Sequence, residues 1–271
     1  RGEAAPLSVL FHLDQASFQG RHYDQCAVLT TWLLKDGMPG SRAAVLSALA
    51  GLGGGIILLA VLAQFFAPVV AIPIHGGIQL VANGSRAYLL RGEIAWKAVL
   101  WSSLLLFPAS LLGVLVATSV PEDATRAALG IFALVITWRP SLLMWRGNNQ
   151  MPEQTLIGVG AASGFINTTV GASGPVTSPF FRAVTASHAA FVATAAASQV
   201  IAHISKVGAF LIDGFPIEDH LLTIGVGAAA VTVGSWIGTR LLGRVEEQYL
   251  GWIFRAVLTA LAVRLIVTAL L

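Results

Sequence analysis

The same pattern occurs twice in this chain, 120 residues apart and inside apolar sequence both times. Gly51-Leu52-Gly53-Gly54-Gly55 is followed by Gln79, Asn83 and Arg86, and Gly171-Ala172-Ser173-Gly174-Pro175 is followed at the same offsets by Gln199, His203 and Lys206. Each copy puts a helix break first and a polar stripe second. Both are costly in a bilayer, and paired interruptions at matching positions of two halves point to the binding site of a transporter.

That the surroundings are a bilayer follows from how little charge the chain carries. Hydrophobic residues make up 56% of it and charged residues 11%, against about 25% charged in an ordinary soluble domain. The net charge of +3 carries no nucleic-acid meaning, because the basic residues gather at segment ends. Cys26 is the chain's single cysteine, which excludes an intrachain disulfide.

The apolar material falls in blocks near the ~20 residues a spanning helix requires. Eight segments in two sets of four are predicted. The first set is 43–66, broken at Gly53 to Gly55, then 69–90, 96–118 and 124–145; the second is 155–182, broken at Gly171 to Pro175, then 187–212, 220–243 and 247–270. The domains expected are an N-terminal tail over 1–40, a first repeat over 41–147, a polar linker over 148–154 and a second repeat over 155–271. The tail's apolar run, Cys26 to Leu34, is too short to span and lacks a small-residue cleavage site, so no signal peptide is assigned and Met38 is a candidate start.

Loop charge tests how the segments cross. If all eight span, Arg42, Arg91, Lys97, Arg139 and Arg146 face Arg126, Arg182, Arg240 and Arg244, almost without bias. If the two broken segments are hairpins that enter and leave on one face, Arg91, Lys97, Arg139, Arg146, Arg182, Arg240 and Arg244 share a side against Arg42 and Arg126 alone. The second arrangement has the asymmetry of the positive-inside rule. It gives each half three spans and one hairpin, so the halves are expected to be inverted, with both chain ends outside.

A glycine cluster permits a sharp turn, and the helix that follows aims its free N–H groups and positive dipole end at the break, an anion-ready arrangement. Pro175 stands where a first helical residue would. Within each stripe the residues lie at i, i+4 and i+7, on one helix face, and end in a cation suited to an oxyanion. The blander alternative is that Arg86 and Lys206 snorkel to the interface while the amides staple helices together. His203 suits packing or proton carriage, and His75, one turn before Gln79, is a lesser candidate of the same kind.

Gly51-Leu52-Gly53-Gly54-Gly55, Arg91-Gly92-Glu93-Ile94-Ala95-Trp96 after the second segment, and a degenerate second copy of the arrangement resemble the sulfite exporter TauE/SafE family of bacterial membrane transporters, over residues 41–271. The chain departs from the family pattern where a proline commonly follows the first glycine cluster, having Ile56-Ile57-Leu58-Leu59-Ala60 instead. The resemblance implies transport of small sulfur-containing or carboxylated anions such as sulfite and sulfoacetate, in the bacterial inner membrane.

Two rivals come from other classes. Ser173 and His203 resemble the dyad of a rhomboid-type intramembrane serine protease, but Ser173 occupies the position of Gly53 in the repeat and has no nucleophile counterpart. A cation transporter needs acidic residues inside its spans, whereas Asp213, Glu218 and Asp219 cluster at a segment end. The expectation is therefore an all-α polytopic membrane protein of two inverted four-segment repeats, each opening with a re-entrant helix. It is a transporter and not an enzyme, working by alternating access, with no cofactor, no metal and no nucleic-acid partner, and with protons as a candidate coupling ion. The expected substrate-binding groups are Gly53, Gly54, Gly55, Gln79, Asn83 and Arg86 from the first copy, and Ser173, Gly174, Gln199, His203 and Lys206 from the second.

Overall fold

The computed structural model describes residues 54–143, 151–241 and 247–271, with the side chains of all of these except 141, 143, 232–241 and 247–250. The tail and Gly53 lie outside the described residues. Ten α-helices and short 3-10 turns account for the fold there, and no strand occurs among the described residues. They are α1 (Gly54–Phe65), α2 (Pro68–Leu89), α3 (Trp96–Ser103), α4 (Leu106–Ser119), α5 (Glu122–Trp138), α6 (Leu156–Thr169), α7 (Gly174–Val184), α8 (His188–Ile212), α9 (Leu221–Leu241) and α10 (Glu247–Leu270).

Local sequence explains where they start and stop. Pro68 opens α2 from the first turn, where its missing N–H costs nothing. The 96–118 segment, expected as one helix, is two helices bent by 43° at Leu104 and Leu105. Pro108 is the reason: its ring opposes the carbonyl four residues earlier, Leu104, and it has no N–H to offer that carbonyl. Between α6 and α7 the chain leaves the helix at Val170 to Ser173, with Gly171 at φ +84°. Gly174 is the first residue of α7, so Pro175 holds the second position rather than the first.

The helices α2 and α8 pack against each other antiparallel: His75 meets Lys206, while Ala87 and Leu90 meet Ala193 and Ala197. The pair α5 and α10 is also antiparallel, with Gly130 against Ala262 and Ile266 and Trp138 bonded to Thr259. Along α6, Gly160 and Gly164 let the backbone come against the Ser102 and Leu106 carbonyls, so that α6 runs parallel to α3 and α4. The start of α6 and the end of α7 share one apolar cluster, Leu156 and Val159 with Phe181 and Val184. The α6–α7 pair thus enters and leaves at one end of the bundle.

Two described helices are long and apolar enough to cross a membrane, His188–Ile212 and Gly251–Leu270, and the bent α3–α4 pair makes a third. Leu100, Leu112, Leu115, Ile131, Leu222 and Ile253 face outward, an apolar exterior that lipid rather than water accommodates.

Candidate functional site

Five groups form one hydrogen-bonded network in the middle of the bundle. His75 Nε2 lies 2.9 Å from the Gly55 carbonyl, and His75 Nδ1 lies 3.2 Å from Lys206 Nζ. Lys206 Nζ donates to the Gly171 carbonyl at 3.0 Å and to Asn167 Oδ1 at 3.2 Å. The network therefore runs from the first glycine cluster, through α2 and α8, to the second. Lys206 is 0% exposed. Its stem lies across Gly76, where a Cβ would come 2.8 Å from Lys206 Cε. The snorkelling alternative does not hold for this lysine.

Gln79 and Asn83 on α2, and Gln199 and His203 on α8, occupy the same interface. The antiparallel register sets Gln79 level with His203 and Asn83 level with Gln199. Gln79 Nε2 lies 3.4 Å from His75 Nε2, and a Cβ on Gly55 would collide with that amide. Asn83 Nδ2 donates to the Gln79 backbone carbonyl at 3.1 Å, bonding back along its own helix. His203 packs edge-on against His75 with ring centroids 5.7 Å apart. Arg86 stands apart: it is half-buried, eleven residues beyond His75 and so about 16 Å further along α2. Gly54, at the first described position, is exposed.

Ser173 and Gly174 sit at the head of α7, both buried. The first amide groups of α7 have no acceptor within the helix, and the positive end of its dipole faces the break. Ser173 Oγ bonds to Ser163 Oγ at 2.8 Å, so the serine's partner is another serine rather than His203. No His, Cys, Asp and Glu grouping able to hold a metal occurs among the described residues.

The sequence reading missed Asn167 and ranked His75 below its importance. An amide four residues ahead of Gly171, the one Asn or Gln in α6, was the available signal. Both belong to a site with polar nitrogens to spare: the Asn167 Nδ2 donor is buried with no hydrogen-bond partner, and so is His203 Nδ1, which donates in one of its two tautomers. Leaving such a group unpaired costs about 1–3 kcal/mol, which an incoming acceptor recovers. A buried cation, two unpartnered amide or imidazole nitrogens and a helix N-terminus make a cluster suited to an oxyanion.

A family model described as sulfite exporter TauE/SafE matches residues 40–265 of the chain. No curated protein and no solved structure matches it.

Proposed function

Since the chain belongs to the sulfite exporter TauE/SafE family and is a membrane transporter, we propose that it moves small sulfur oxyanions, sulfite, sulfoacetate or another organosulfonate, across the bacterial inner membrane by alternating access between two inverted halves. One observation carries the substrate class. Lys206 is fully buried, and its partners are a carbonyl, an amide oxygen and an imidazole rather than a carboxylate. A charge at that depth calls for an opposite one, and an anion with several oxygens supplies it while accepting from Asn167 Nδ2 and His203 Nδ1.

The packing supports the inverted repeat. Under the 120-residue shift α2 corresponds to α8 and α5 to α10, and both pairs run antiparallel, as elements related by an axis in the membrane plane must. Hairpin entry of the α6–α7 pair is supported by the shared cluster at its two ends. Arg91 and Arg182 flank α8's N-terminal end, where Lys97 also pairs with Glu153 at 2.9 Å, whereas Arg126 reaches the Ala63 carbonyl at the opposite end. This distribution fits the hairpin topology and its charge asymmetry.

Uptake of labelled sulfite, sulfoacetate and a four-carbon dicarboxylate into proteoliposomes, with and without a pH gradient, tests the reading. The sulfur anions are expected to accumulate in preference to the dicarboxylate. Transport of the dicarboxylate alone would overturn the substrate assignment.

A further inference from the structure

The amine of Lys206 meets three acceptors, and only an ammonium has three hydrogens to give them. The tautomer of His75 follows from its neighbours. Its Nε2 faces the Gly55 carbonyl, which accepts only, at 2.9 Å, closer than the Gln79 amide nitrogen at 3.4 Å, so Nε2 carries the hydrogen. Its Nδ1 is then the lone-pair nitrogen and accepts from Lys206. A neutral amine in the same place has two N–H groups and a lone pair. One of the three bonds would be lost, with two lone pairs facing each other or a carbonyl.

From this geometry we propose that Lys206 Nζ, with His75 as its oriented acceptor, is the proton-binding site that couples anion movement to protons, a step that rests on the anion-transport reading above. The proton adds to the amine lone pair from water on the side to which the site is open. It completes the bond from α8 to α2 and creates the positive charge that the anion answers. The anion and the proton then bind together, each raising the other's affinity by the same factor. They cross together, one proton per anion, and the proton leaves the amine when the anion has gone. Net direction follows from the sum of the two gradients.

Few other groups can share this role. Of the titratable side chains on the elements packed around the pair, α8 contributes His203 beside His75, and His188 at its far start. The helix α2 adds Arg86 a further three turns away and Tyr88 beyond it, α3 adds Lys97, which is exposed and paired to Glu153, and α7 adds Arg182, exposed at its end. At the other end of α2, α5 adds exposed Glu122 and Asp123 with Arg126 paired to Glu122, and the turn Ile217–His220 adds exposed Glu218 and Asp219 with His220 stacked on Phe215. Arg91 and Glu93 lie exposed in the turn before α3. The helices α1, α4 and α6 carry no titratable residue among the described ones, and α9 carries none before Arg240.

The test uses the full chain in lipid nanodiscs with sulfoacetate, whose carboxylate is ionised throughout a range starting about two units above its pKa of about 4. A pH-indicator dye in weak buffer reads protons taken up on binding. Wild-type protein is expected to take up one proton per sulfoacetate on the alkaline side, where affinity falls about tenfold per pH unit. The Lys206→Met protein is expected to take up none and to bind with an affinity independent of pH. His75→Gln offers a second arm should Lys206→Met fail to fold, because a glutamine supplies an acceptor to Lys206 and a donor to Gly55 without holding a proton itself; uptake is expected to persist there. Wild-type binding with no proton uptake, uptake that persists in Lys206→Met, or uptake lost in a His75→Gln protein that still binds would each overturn the proposal and leave anion transport standing. Wild-type protein that binds no sulfur anion overturns the transport reading, and the proton site with it.

Discussion

A lysine enclosed by apolar helices has to be held by partners that the fold itself delivers, and here they come from three different elements. Asn167 lies in the last turn of α6, Gly171 turns its carbonyl inward from a left-handed conformation, and His75 projects from α2. The sequence made Lys206 and His203 legible because a charge or imidazole inside an apolar helix is conspicuous. His75 and Asn167 were harder to weigh, since their importance lies in contacts across 131 and 39 residues that no local spacing encodes. Arg86 matched Lys206 by offset alone, and the registers of α2 and α8 separate the two. Gly171 carries a prediction at this scale. Its φ of +84° costs an L-residue about 1–2 kcal/mol, and a Cβ would come 2.7 Å from Leu59. Gly171→Ala is therefore expected to lower the thermal unfolding midpoint of the detergent-solubilised protein; an unchanged midpoint would show that the break does not depend on this conformation.

The helices themselves were read well where apolar length decides the matter. The predicted 69–90 and 187–212 segments correspond to Pro68–Leu89 and His188–Ile212 within a residue or two. Reading 96–118 as a single helix failed because hydropathy averages over a proline, and Pro108 bends that segment into two. The proposed hairpin entry of α6 and α7 would put the Arg91 and Arg182 loops on one face of the membrane, which single-cysteine labelling at each loop measures in sealed vesicles. Both sites are expected to react with an impermeant reagent from the same side. Labelling from opposite sides would require α6 and α7 to span the bilayer as one continuous crossing.

Across the whole molecule, α2 and α8 meet in one hydrogen-bonded chain from Gly55 to Gly171. The all-helical membrane architecture was legible from composition, because a chain with 11% charged residues has few ways to satisfy its backbone other than helices in lipid. How the stripes meet was not, since antiparallel register is set by small-residue contacts such as Gly76 on Lys206, which hydropathy does not register. The account's central claim is that this buried ammonium is the counter-charge of the transported anion. Isothermal titration of sulfoacetate into the wild-type and Lys206→Met proteins, in the pH range where wild-type affinity no longer rises on acidification and with helix content matched by circular dichroism, tests it most directly. Loss of a charge-assisted bond of about 1.5–3 kcal/mol predicts affinity weaker by roughly ten- to a hundredfold, whereas equal affinity in a folded Lys206→Met protein would contradict the claim.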